Sequence, residues 1–229
     1  MFYMDSTMLL LIPGLLLSML ASYWVRSAYG KYAKVITRAG ITAAEMAARM
    51  LRQNGADDVR IERVRGELTD HYDPKDRVLR LSDGVYGSAS IAALGIAAHE
   101  CGHALQHRDE YAPLSLRSAI VPAVSLTSNM AMPLFFLGLI LAWEPLLWVG
   151  VACFTAAVMF SLITLPVEFN ASGRALRALQ ADGYLTDEEN AGAKRVLNAA
   201  AMTYVASALM ALLQLARMLL LANNSRRRG

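Results

Sequence analysis

The chain has 229 residues, of which 55% are apolar and only 18% charged, and its mean hydropathy is +0.35. Soluble domains carry about a quarter charged residues, so a plain soluble globule is excluded and a membrane protein with one polar portion is expected. The net charge of +3 is too small for nucleic-acid recognition, and no basic-aromatic patch supports it.

In chain order, the first element is an uncharged run, "MLLLIPGLLLSMLASYWV", from Met8 to Val25. It lacks a positive leading region and a small-x-small cleavage site, so it reads as a retained anchor rather than a signal peptide. A polar portion follows, Arg26 to Arg117. Within it, "TAAEMAARMLRQNGADD" predicts a helix with Thr42 as N-cap, Glu45 completing a capping box and Gly55 ending it. "VRIERV" (Val59 to Val64) and "RVLRLS" (Arg77 to Ser82) alternate as half-buried strands do, with "DHYDPKD" as a turn between them. Ser88 or Ser90 then caps a helix through "IAALGIAAHECGHALQH".

Three further apolar runs follow: Ile120 to Ala142, Leu146 to Leu165, and Val196 to Ala222. Each meets the roughly 20 residues that a bilayer core demands. Only "WEP" separates the first two, which makes a tight hairpin. The last carries Gln214 and Arg217, and Arg217 is near enough to the end to snorkel. Arg26, Lys31, Lys34 and Arg38 follow the first span, while Arg174, Arg177, Lys194 and Arg195 lie between the third and fourth. The positive-inside rule therefore puts both polar portions in the cytoplasm and the N-terminus outside. The tail "SRRRG" runs against this orientation if all four segments cross. Cys101 and Cys153 give no disulfide framework.

The chemistry lies in "AAHECGHALQH". Positions i and i+4 share one helical face, so His99 and His103 can offer two imidazoles to one Zn²⁺ ion. Glu100 projects beside that ion and suits a general base that takes a proton from water and passes it to a leaving amine. A catalytic zinc needs a third protein ligand and an open position. His107 stands about 12 Å from His99 on an unbroken helix, too far to share one ion. His71 has no supporting pattern. In "LPVEFNASGRAL", Pro166 suits the first turn of a helix. Glu168 would sit in that turn, either as the third ligand or as a carboxylate at a positive helix end. The hairpin returns the chain to the side it left, so Glu168 can reach the helix of His99.

The segments "LTDHYDPKDRVLRLSDGVYGSASIAALGIAAHECGHALQH" and "LPVEFNASGRALRAL" resemble the YugP-type neutral zinc metallopeptidases of bacterial membranes. That group is related more distantly to the HtpX heat-shock proteases and the CaaX prenyl proteases. The resemblance runs from about Ile41 to Leu179 and implies a gluzincin site holding one catalytic Zn²⁺ ion: His99, His103 and Glu168 as metal ligands, Glu100 as catalyst. It also implies that "RVLRLS" is an edge strand against which an extended peptide pairs. In the more distant relatives an aspartate follows the ligand glutamate by four residues. Here that position is Ser172, and Asn170 stands where an acid is expected, which leaves the support of the ligands open. Arg174 or Arg177 suits an oxyanion or a substrate carboxylate, but each reads more simply as a topology signal.

The expected fold is a mainly α integral-membrane protein, with about four membrane-associated helices and a small α+β zincin-like cytoplasmic domain. Its parts are a transmembrane anchor over 1–25, the zincin-like part over 26–118, a transmembrane hairpin over 119–165, a cytoplasmic helix over 166–195, a fourth membrane helix over 196–222 and a basic tail over 223–229. The expected activity is zinc-dependent peptide-bond hydrolysis at the cytoplasmic face of a bacterial membrane. Its partners would be the bilayer and peptide or protein substrates, membrane proteins among them. The competing readings are a zinc-stabilised adaptor without catalysis and a CaaX-like protease for lipidated peptides.

Overall fold

The computed structural model describes residues 6–226; the last three residues of the basic tail lie outside them. The chain is mainly helical, with a three-stranded sheet. Among the described residues, four helical stretches are long and apolar enough to cross a membrane: Ser6–Tyr32, Ala112–Ile140, Glu144–Ala181 and Asp187–Ser225. Two compact units are distinguished, one built from residues up to Ala21, Leu116–Leu165 and the chain from Thr203 onward, the other from Ser22–Ser115 and Pro166–Met202.

The unit of Ser22–Ser115 and Pro166–Met202 contains the end of α1 (Ile12–Tyr32), then α2 (Ala43–Gln53), β1 (Arg60–Val64), β2 (His71–Asp73), β3 (Val78–Ser82), α3 (Asp83–Tyr86) and α4 (Ile91–Arg108). Helix α2 begins as expected: Thr42 Oγ1 accepts from the Glu45 amide while the Glu45 carboxylate accepts from the Thr42 amide, at 3.2 and 3.1 Å. Helix α4 is capped by Ser90, whose hydroxyl accepts from the Ala93 amide at 3.2 Å. His107 and Arg108 fall in its last turn, where positive charge suits the helix dipole. Met46, Met50 and Leu51 of α2 join Leu94, Ala98 and Cys101 of α4 in one core, together with Leu79 and Leu81 of β3.

Two expectations about the sheet are corrected. "DHYDPKD" is not only a turn, because its first half is strand β2, paired antiparallel with β3 from Asp73↔Val78 to His71↔Arg80. The Asp73 carboxylate accepts from the amides of Lys75 and Asp76, the side-chain-made turn that aspartate favours. That turn folds three residues back onto β3. The sheet order is consequently β1-β3-β2, with β1 parallel to β3. "RVLRLS" is thus the central strand, covered on both sides, and not an edge open to a peptide.

The later helices are α5 (Ala112–Ile140), α6 (Glu144–Ala181) and α7 (Asp187–Arg226). Pro166 does not start a helix: it lies inside α6, which continues through it. Long apolar helices tolerate proline where neighbouring groups satisfy the freed carbonyl. Glu168 therefore sits in mid-helix, and the alternative of a carboxylate stabilised by a helix N-terminus falls away. In the other unit, Phe135, Leu147, Val151, Met218 and Ala222 form a core. Arg217 there is 9% exposed, and its Nε donates to Thr7 Oγ1 at 3.2 Å. A hydroxyl partner thus meets part of its donor capacity.

At Gly102, inside the histidine motif, α4 lies against the backbone of α6. A Cβ at this position would come within 2.5 Å of the Ala171 carbonyl oxygen. Backbone cannot retreat as a flexible side chain can, so Gly102→Ala must push the two helices apart. It is expected to cost about 1–3 kcal/mol, read as a lowered Tm of the purified protein.

Candidate metal centre

One turn of α4 separates His99 from His103, and their rings meet edge to face with centroids 4.7 Å apart. From α6, Glu168 reaches the same point: its Oε2 lies 3.2 Å from His99 Nε2 and 3.7 Å from His103 Nε2. The three ligand atoms lie within 4.8 Å of one another. Two donors that each bind a tetrahedral zinc at about 2.1 Å stand roughly 3.4 Å apart. The two imidazole nitrogens and the carboxylate are thus spaced as zinc ligands are. Glu168 is 2% exposed, and an isolated carboxylate buried to that degree is costly unless it is paired or bound to a cation.

Both rings turn their other nitrogen outward to a neutral partner. His99 Nδ1 lies 3.0 Å from Ser172 Oγ. His103 Nδ1 lies 3.0 Å from Gln106 Oε1. The orientation of the Gln106 amide follows from its other contacts. Its Nε2 donates to the Val167 carbonyl at 2.8 Å and to Asn170 Oδ1 at 3.0 Å, and a carbonyl can only accept. The Oε1 that remains must accept from His103, which puts a proton on Nδ1 and directs Nε2 toward Glu168. Asn170 Oδ1 also accepts from Arg174 Nε at 2.8 Å. Arg174 pairs in turn with Asp109, and its guanidinium holds that carboxyl below the usual carboxylate range. Burial works against a charge on His103, yet the neighbouring Glu168 and Glu100 carboxylates leave its pKa above the ordinary imidazole value.

Ser172 and Asn170, the two positions where an acid was expected, therefore engage the site through a hydroxyl and an amide. Gln106 was not singled out in the sequence. Its only local signal is its place three residues after His103, on a neighbouring face of the helix. It is fully buried. Gln106→Leu removes the acceptor from His103 and the tie to α6, and zinc affinity is expected to fall about ten- to hundredfold. Chelator-competition titration measures this, with Gln106→Glu, which keeps the acceptor, falling less.

Glu100 is 9% exposed, and its Oε2 accepts from the Tyr72 amide of β2 at 3.0 Å. This amide points away from β3, so the outer edge of the three-residue strand faces the motif helix. The other candidates lie elsewhere. His107 Nδ1 contacts the Tyr72 hydroxyl at 2.9 Å, and His71 Nδ1 contacts the Thr69 carbonyl at 2.8 Å. Cys101 is fully buried, and burial pushes its thiol far above the usual range, so it packs as a neutral group. Arg174 is occupied by Asp109 and Asn170.

A family model described as "Putative neutral zinc metallopeptidase" matches residues 7–223. A curated relative, "Putative membrane protease YugP" of Bacillus subtilis (strain 168), is 48% identical over 217 residues, covering 95% of this chain and 96% of the relative. No solved structure matches.

Proposed function

The chain belongs to this family of neutral zinc metallopeptidases, its cofactor is Zn²⁺, and from that premise we propose a membrane-bound endopeptidase of the gluzincin type. Its ligands are His99, His103 and Glu168, its general base is Glu100, and it cuts peptide bonds at the cytoplasmic surface of the bilayer. The observation that carries this reading is the convergence of both Nε2 atoms on one Glu168 oxygen, with both Nδ1 atoms turned to outer partners.

Bound zinc supplies a Lewis acid that lowers the pKa of water and polarises the scissile carbonyl. The protein's own groups do the rest. Gln106 keeps His103 in the tautomer that offers Nε2, and Ser172 holds the orientation of the His99 ring. The Tyr72 amide anchors one oxygen of Glu100, and its Oε1 has no protein partner among the described residues, so it is free to accept the proton of the attacking water. Glu100 then returns that proton to the leaving amine. With β3 between β1 and β2, the sheet edge nearest Glu100 is that of β2, whose Tyr72 amide is engaged by Glu100 itself. The cytoplasmic orientation rests on the cations that follow the first span and precede the last.

Metal removal tests the reading. The purified protein in detergent is expected to degrade an unfolded casein-type substrate, to lose that activity on dialysis against a chelator, and to regain it with stoichiometric Zn²⁺. Degradation indifferent to chelation would sink the proposal, and zinc binding without hydrolysis would leave the adaptor in its place.

A further inference from the structure

Away from the metal centre, α1 and α7 border a cavity of about 440 Å³ whose lining includes Trp24, Ser27, Lys31, Arg195, Asn198 and Met202. The two helices face it in antiparallel register. Arg195 Nη1 donates to the Tyr32 hydroxyl at 3.1 Å, and Lys31 Nζ stands 5.3 Å from the centroid of the same ring. Gly192 fixes this ring's place, since a Cβ there would come within 2.8 Å of it. One tyrosine thus contacts two cations that line the same cavity, and neither has a carboxylate partner among the described residues. Like charges gathered without an acid call for an anion.

The cavity also has an apolar end. Trp24 lies seven residues before Lys31, and Met202 seven residues after Arg195, so both are about 10 Å from the cations along their helices. Ala28 and Ala199 line the wall between. Beyond Trp24 toward the N-terminus, and beyond Met202 toward the C-terminus, the same two helices become apolar enough to cross a bilayer. A ligand that satisfies both ends has an anionic head and a hydrocarbon tail in that order.

We infer that this groove binds an anionic phospholipid of the surrounding bilayer. Its phosphodiester lies between Lys31 and Arg195, and an acyl chain runs along Ala28 and Ala199 toward Trp24 and Met202. A free phosphate would meet the cations and leave the apolar end unfilled. Basic groups at a membrane surface each strengthen binding to acidic lipids by about fivefold, so the two together give a preference on the order of twentyfold.

Trp24 supplies the readout. The chain has three tryptophans, so Trp143→Phe with Trp148→Phe leaves Trp24 as the sole reporter. In nanodiscs, brominated-acyl phosphatidylglycerol is expected to quench Trp24 at roughly twentyfold lower mole fraction than brominated phosphatidylcholine. Lys31→Gln or Arg195→Gln should each remove about fivefold of that preference, and the double variant should erase it. Circular dichroism and zinc content should stay unchanged, since both side chains are exposed and outside the metal centre. Equal quenching by the two lipids, or a preference that survives in the double variant, would overturn the inference. So would inorganic phosphate that abolishes the preference more strongly than chloride at the same ionic strength, for the groove would then be a free-phosphate site.

Discussion

Glu100→Gln is expected to lower kcat by about 10²–10⁴-fold while the protein keeps its zinc. Glutamine matches glutamate in shape, and its amide oxygen can still accept from the Tyr72 amide, as the carboxylate does at 3.0 Å. The proposed ligand trio is untouched. What the variant loses is the ability to take up a proton and hand it on. Metal analysis of the purified variant and steady-state hydrolysis of an unfolded fluorogenic protein separate the two effects. Hydrolysis at the wild-type rate would mean that the base is another group.

Glu168→Ala should act on the metal itself. Among the described residues the carboxylate is the one member of the candidate ligand cluster from outside α4, and its Oε2 meets both imidazoles. Without it, two histidines remain on one helix, and a structural or catalytic zinc requires at least three protein ligands. The expected loss of affinity exceeds the about ten- to hundredfold that removing a ligand's hydrogen-bond partner costs. After dialysis against a weak chelator the variant should therefore hold well under one zinc per chain. Glu168→Gln keeps the side-chain volume at this buried position, so zinc loss in both variants separates metal binding from a packing defect. Full zinc occupancy in both would remove Glu168 from the ligand set.

The parts of the site legible in the sequence are those set by local geometry. His99, Glu100 and His103 depend only on helical spacing, and the caps at Thr42 and Ser90 depend on residues three positions apart. Glu168 is legible as a candidate but its setting is not, because proline at 166 signals a helix start in water and is accommodated mid-helix here. Strand β2 escaped because three residues cannot establish an alternation, and its Asp-Pro step reads as a turn alone. With β2 missed, β3 was given an edge it does not have. Gln106 was invisible for a different reason. Its function is set by the Val167 carbonyl, 61 positions away, and no local pattern announces such a partner.

The outer partners of the two imidazoles are a hydroxyl and an amide, neither of which carries a charge. A carboxylate beside a ligand histidine pushes electron density onto the ring and makes it a stronger donor. Ser172 and Gln106 fix direction without adding that charge. Were His99, His103 and Glu168 to hold zinc as proposed, two uncharged rings and one carboxylate would leave the divalent ion one uncompensated positive charge, and outer partners without charge would favour electrophilicity over ligand basicity.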